Sequence, residues 1–302
     1  MSEAPGNIVL SLAVSAKGQG SPDEFLEALG AERVLSRPDV DVHIARDGPW
    51  PIGLNTPPNV VLHAHEVSQP AAVLWGRAIA ASTGKFVAVL DLHSPPGAGW
   101  LTRVMREIER ETPLYFGSVE LGWDSLDGKT AAYLVDYGQF MAPIPSWLKE
   151  VPGNNFVCRR DLFPAAAELK TRGLFKTFMI WRLDRERIAP LFFNDMPVVY
   201  RNPFSLGLHL ARRLEHGRCF ALHRNDNPRQ PPPLACLAFT PLLPFLRFSR
   251  VARHAWRNRN SRRALLRHWH LALLLEMAWS FGELRGYATR LAKKKSLSRN
   301  AS

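Results

Sequence analysis

The sequence predicts an α/β protein with an open, doubly wound sheet, followed by a basic, apolar helical tail. Three observations carry that expectation. Over the first two thirds, short β-branched runs alternate with amphipathic stretches in β-α-β-α order. One run, "KFVAVLD" (85–91), is almost unbroken in its apolar character, as expected of a strand buried at the centre of a parallel sheet. Charge is also divided unevenly. The 302 residues hold 39 Lys and Arg against 27 Asp and Glu, a net charge of +12. Fourteen of the basic residues but only Glu276 and Glu283 of the acidic ones lie beyond residue 246, so the excess belongs to the tail.

Taken in order, "NIVLSLAV" (7–14) reads as a first strand, because no basic stretch precedes it as in a signal peptide. "SPDEFLEALGA" (21–31) reads as a helix with Ser21 as N-cap, Pro22 at N1 and Glu24 at N3. "DVHIARDG" (41–48) and "NVVLHAH" (59–65) follow as strands, and "PAAVLWGRAIAAST" (70–83) as a helix closed by Gly84. After the strand 85–91, "GWLTRVMREIERET" (99–112) is helical and "LYFGSVEL" (114–121) is a strand. "VPGNNFVCRRDLF" (151–163) reads as a turn leading into the helix "PAAAELKTRG" (164–173). "FKTFMIWRL" (175–183) is expected as a helix and "IAPLFFNDMPVVY" (188–200) as a strand pair. Cys158, Cys219 and Cys236 are widely spaced and odd in number, which suits a reducing compartment and forms neither a disulfide framework nor a zinc site.

Ligands of such sheets bind beyond the carboxyl ends of the strands. Asp47 and Asp91 both stand at such ends. Each reads as a ligand-facing carboxylate or as a turn cap, and His93 as a metal ligand or a loop residue. His63 and His65 share one strand face without a third ligand nearby in sequence. Arg159 and Arg160 read as a phosphate grip or as surface ion pairs, and Lys176 as a solvated helix residue.

The ordered motifs resemble family 2 glycosyltransferases of the GT-A fold, of the bacterial membrane-associated kind. "GRAIAASTGKFVAVLD" (76–91) is similar to the Gly-ended helix and strand that deliver a D-x-D motif, and "GWLTRV" (99–104) to the helix start after it. "DYGQFMAP" (136–143) and "VPGNNFVCRRDLF" resemble the segments that shape the acceptor side, with Gly153, Asn154, Asn155 and Arg160. "PFSLGLHLARRLEHGRCFA" (203–221) and "WSFGELRGY" (279–287) resemble the later helix and the W-x-x-G-E-x-x-G-Y ending.

The resemblance implies a Rossmann-like mixed sheet over 1–222, a Pro-rich linker at 223–233 and a membrane-associated region over 234–302. It implies a nucleotide-diphosphate sugar donor, a glycan or lipid-linked acceptor, a divalent cation (manganese or magnesium) and a place on the cytoplasmic face of the plasma membrane. Asp91 and His93 would be the metal positions, and Asp47, Arg77, Asp91 and His93 the nucleotide side. Several positions depart from the family pattern. D-x-D reads Asp91-Leu92-His93, the carboxylate pair that supplies a base reads Phe175-Lys176, and a V-x-H strand end reads Val199-Tyr200 or Val199-Arg201. Two readings follow. In one, the enzyme is active with a rearranged site, where Arg46, Arg77 or Lys176 supplies positive charge in place of the metal and Glu120 is the substitute base. In the other, the protein keeps the scaffold, has lost the chemistry, and binds a glycan, a lipid-linked sugar or a partner.

The tail holds "LACLAFTPLLPFLRF" (234–248) and "ALLRHWHLALLLEMAWSFGEL" (264–284). Neither offers the roughly 18–20 uncharged residues of a spanning helix. Both suit segments lying in a bilayer interface, with Trp256, Trp269 and Trp279 at headgroup level. Basic residues interleaved with Trp also suit nucleic acid, but the long leucine-rich runs favour a membrane.

Overall fold

A computed structural model of the chain describes residues 8–17, 22–50, 54, 56–123, 128–202, 205–224 and 232–300, with side chains up to residue 292. The expected N-cap Ser21 and most of the expected Pro-rich linker fall outside the described residues. The chain divides into two compact units, one of 1–122 with 140–202 and one of 123–139 with 203–302.

The first unit begins with β1 (Leu10–Ala16), α1 (Asp23–Ala31), β2 (Val40–Asp47), β3 (Val60–His65), α2 (Ala71–Ala81) and β4 (Phe86–Asp91). It continues with α3 (Trp100–Glu109) and β5 (Leu114–Leu121), and the chain returns to it with β6 (Asn155–Arg159), α5 (Ala166–Arg172), α6 (Lys176–Arg185) and β7 (Leu191–Tyr200). Between β5 and β6, α4 (Gly128–Asp136) belongs to the second unit. The strands form one seven-stranded sheet in the order β3-β2-β1-β4-β6-β5-β7. All neighbours are parallel except β6, which runs antiparallel to both β4 and β5. β4 is therefore central, as its apolar run demands, and residues 86–90 are buried. The sheet around it is mixed where the run alone pointed to a parallel one. α2 packs on β1 and β2, and α3 packs on β7.

Three expectations about elements are corrected. α1 starts at Asp23, with Pro22 as its N-cap and no side-chain cap. Part of the expected turn 151–163 is β6, a short strand whose apolar run follows directly on the turn residues Gly153 and Asn154. The expected strand pair at 188–200 is the single strand β7. Its register against β5 shifts between Gly117 and Val119, so the extra residues bulge instead of turning back. Gly117 is required there, because a Cβ would stand 1.6 Å from the carbonyl oxygen of Met196.

The second unit holds α4 with α7 (Leu206–His223), α8 (Pro233–Phe239), α9 (Leu243–Ala255) and α10 (Arg259–Asn300), the last with a non-helical residue at His268. α7 and α10 touch through glycines. A Cβ at Gly217 would lie 2.1 Å from the Trp279 carbonyl, and one at Gly282 would lie 2.2 Å from the Leu214 carbonyl. The buried Glu276 carboxylate accepts from Arg213 (2.7 Å) and Arg247 (2.5 Å), and Arg213 also reaches Asp136 (3.1 Å). One buried charge network thereby ties α4, α7, α9 and α10. The residues Trp279, Glu283 and Tyr287 form a second clamp. Glu283 accepts from the Trp279 indole (2.7 Å) and the Tyr287 hydroxyl (3.0 Å).

Candidate functional site

The carboxyl ends of β1, β2 and β4 lie side by side, with Ser15 opposite Asp91 and Ala16 opposite Arg46. Asp91 closes β4 and is half-buried. One of its oxygens accepts the backbone N–H of His93 (2.9 Å), and its carbonyl accepts that of Ser94 (2.9 Å). These two bonds make the tight turn that sequence read as either a cap or a ligand position. The Ser15 hydroxyl is buried beside it without a hydrogen-bond partner. Beyond the turn the chain crosses to β7. Arg201 N–H donates to the His93 carbonyl (2.7 Å) and Val199 N–H to that of Pro95 (2.9 Å).

A second group of residues gathers beside Leu90 and Asp91. Trp75 of α2 donates its indole N–H to the Leu90 carbonyl (2.6 Å). Its ring edge would lie 3.3 Å from a Cβ on Gly153, and the Lys176 side chain 3.6 Å from the same point. A side chain at 153 would press on the Trp75 ring edge and meet Lys176 in ordinary contact. Asn154 donates to the Ser94 hydroxyl (2.7 Å), while its own carbonyl oxygen is buried and unpartnered. Lys176 is not the solvated helix residue that the sequence pattern indicated. Its ammonium donates to the Val151 carbonyl and sits 5.2 Å from the centre of the Phe140 ring. Burial pushes its pKa below the ordinary lysine range, against the opposing pull of Glu150. Trp75, Ser94 and Phe140 were invisible as site residues in the sequence, since each reads as an ordinary core or loop position.

Other expected residues lie elsewhere. Asn155 is a structural clamp, accepting from Trp100 Nε1 (3.0 Å) and donating to the carbonyls of Ser118 (2.8 Å) and Met196 (2.7 Å). Arg160 follows the far end of β6. Because β6 is antiparallel, Arg159 pairs with Phe86 at the opposite end of β4 from Asp91. There Arg159 binds Asp161 (2.7 Å). A cavity of about 730 Å³ lies at that end, lined by Lys85, Glu111, Arg159, Arg160 and Asp161, and it is remote from Asp91. Glu120, half-buried on β5 opposite Val199, is at the same end of the sheet as Asp91.

At the positions expected on the nucleotide side, Asp47 accepts from Ser68 (3.1 Å) and pairs with Lys17 (3.5 Å). Arg77 donates to Nδ1 of His65 (2.6 Å). Burial, then the Arg77 charge, holds His65 below the usual histidine pKa; burial, then the charges of His43 and His65, does the same for His63. His63 stacks on His43 (centroids 5.4 Å), which reaches Asp41 (3.1 Å). Arg46 lies 5.3 Å from the centre of the Trp50 ring, and its Nε and Nη1 and the Trp50 indole nitrogen are buried without hydrogen-bond partners. Those orphaned donors at the end of β2 can receive an acceptor-rich group.

The described side chains at the turn offer a divalent cation little on their own. Among the described residues no three His, Cys, Asp or Glu side chains come together as a metal site. Asp91 and His93 offer one carboxylate and one imidazole, so most of the shell of such a cation would fall to donor phosphates and water.

An α/β sheet of this order, with one antiparallel strand inserted beside the central one and helices on its faces, is GT-A-like. Among solved structures the chain is similar to the mannosyltransferase PcManGT from Pyrobaculum calidifontis, determined in complex with GDP-Man and Mn²⁺. The TM-score is 0.52 at 14% identity, over 91% of this chain and 86% of that one. That likeness establishes the fold. No family model matches the sequence, and no curated protein matches it.

Proposed function

We propose that the chain is a glycosyltransferase of the family 2 type, which moves a sugar from a nucleotide-diphosphate donor to a glycan or lipid-linked acceptor at a membrane surface. The observation that carries this reading is Asp91. It ends the central strand of a GT-A-like sheet and is flanked by orphaned donors at Arg46 and Trp50 on one side and by Trp75, Gly153, Asn154 and Lys176 on the other. The mannosyltransferase of similar fold binds GDP-Man. In such a transfer the bond from the anomeric carbon to the diphosphate breaks, and its electron pair leaves on the diphosphate. The acceptor hydroxyl oxygen makes the new bond and gives up its proton. Lys176, which burial biases toward the neutral amine, and Glu120 are the groups we assign to that proton. Exposed apolar side chains on α8 and α9, among them Phe239, Phe245 and Leu246, support the membrane surface and hence a lipid-linked or bilayer-resident acceptor.

One observation favours a second reading, a scaffold that binds without turnover. The first residue of α6 is an amine where the family resemblance implies a carboxylate pair. Calorimetry of the full chain with UDP-, GDP- and dTDP-sugars, followed by donor hydrolysis assays, separates the readings. Binding with turnover supports the enzyme, binding without turnover supports the scaffold, and no binding to any donor sinks the transferase reading.

A further inference from the structure

This inference rests on the donor-binding reading above and concerns what neutralises the donor's diphosphate. The Asp91 carboxylate already spends one oxygen on the His93 N–H, and no three metal-ligating side chains converge on the turn among the described residues. Yet two negative phosphates brought to a carboxylate at the end of a buried strand require a cation. A cationic residue is anchored to the turn by its backbone. The turn's His93 carbonyl accepts the N–H of Arg201 at 2.7 Å, which fixes the first residue beyond β7 two positions from Asp91.

The Arg201 guanidinium is held by one carboxylate, that of Glu24 in the first turn of α1. The two side chains are 47% and 61% exposed. An ion pair that open to water contributes little, so a diphosphate can displace it at little cost. A guanidinium offers parallel N–H donors that match phosphate oxygens in pairs, which an imidazole at His93 cannot do.

We propose that Arg201 receives the donor's diphosphate in place of a divalent cation, exchanging Glu24 for phosphate, so that nucleotide binding is metal-independent. Glu24 then acts as a resident competitor for the guanidinium while the site is empty of nucleotide.

Calorimetric titration of the full chain with GDP and with UDP, in EDTA and then in Mn²⁺, tests this. The expected result is binding in EDTA that Mn²⁺ changes by no more than about twofold. Arg201→Ala weakens it by about tenfold or more, Arg201→Lys by less, and Glu24→Gln leaves it equal or tighter. Binding that appears only with Mn²⁺, or an Arg201→Ala protein that binds as the wild type does, overturns the proposal while leaving the donor-binding reading intact. Failure of both nucleotides to bind under either condition overturns both.

Discussion

Asn155 is fully buried and makes three hydrogen bonds, joining Trp100 of α3 to the carbonyls of Ser118 and Met196 on β5 and β7. Removing its carboxamide strands an indole N–H and two carbonyls in the core. Asn155→Ala is expected to cost about 2–4 kcal/mol in urea unfolding, well beyond a surface change. Lys176 predicts the opposite sign. Its folded pKa lies below the ordinary lysine value of 10.5, so below that folded pKa the native state carries a charge that burial penalises, and stability recovers as pH rises toward 10.5. Lys176→Met should therefore raise the unfolding midpoint at pH 7, with the gain shrinking at alkaline pH, while transfer falls by about a hundredfold if the amine handles the acceptor proton. An unchanged midpoint at pH 7 would contradict the enclosed amine. At this scale the sequence exposed Asp91, because a carboxylate after an unbroken apolar strand has few roles. It singled out Asn155 and Lys176 but hid what they touch. Their neighbours come from α2, α3, β5 and β7, and no local pattern reports contacts across that much chain.

Elements were more legible than residues where a period is long and undisturbed. β1 to β4 and α2 lie within a few residues of their expected bounds, whereas β6 follows directly on a glycine-asparagine turn and β7 is broken in register by its bulge. The ending "WSFGELRGY" was legible as a motif, and its physical content is helix packing. Trp279, Glu283 and Tyr287 bond in series along α10, and Gly282 lets α7 approach. The edge strand β3 carries a titration of its own. His63 and His65 both have folded pKa values below 6.5, faced by His43 and Asp41 on β2 and by Arg77 on α2. A base whose pKa is depressed by folding binds protons more readily unfolded, so its contribution is complete above pH 6.5 and is lost as pH falls from that value through the lower folded pKa. The unfolding midpoint should fall between pH 7.5 and 5, and His63→Gln should flatten that slope. A slope unchanged in His63→Gln would remove β3 as its origin.

For the molecule as a whole, charge and apolar exposure coincide in sequence. Residues up to 246 carry equal numbers of basic and acidic groups, and the full +12 lies in the remainder. Among the described residues, those from Pro233 on hold most of the exposed large apolar side chains, including Phe239, Leu242, Phe245 and Leu246, each more than half exposed. The exposed face of α9 continues from Phe245 and Leu246 to Arg250, Arg253 and Trp256. Pro233–Ala255, 23 residues with a mean hydropathy of 1.3, also passes as a span by length and composition alone. The arginines on its outward side, and the break made by Thr240–Leu242 between α8 and α9, argue for lying in the interface. Interfacial binding of this kind adds about 1 kcal/mol per basic residue near an anionic surface to the gain from each apolar side chain inserted. The full chain should therefore sediment with phosphatidylglycerol vesicles and not with phosphatidylcholine ones, and added salt should weaken the association. The double variant Phe245→Ser, Leu246→Ser keeps every charge, so it isolates the apolar share and should weaken binding by about tenfold or more. If it binds as the wild type does, the apolar face of α9 is not the contact. If the protein ignores both vesicles and retains RNA instead, the basic tail reads nucleic acid, and the acceptor must be sought away from the membrane.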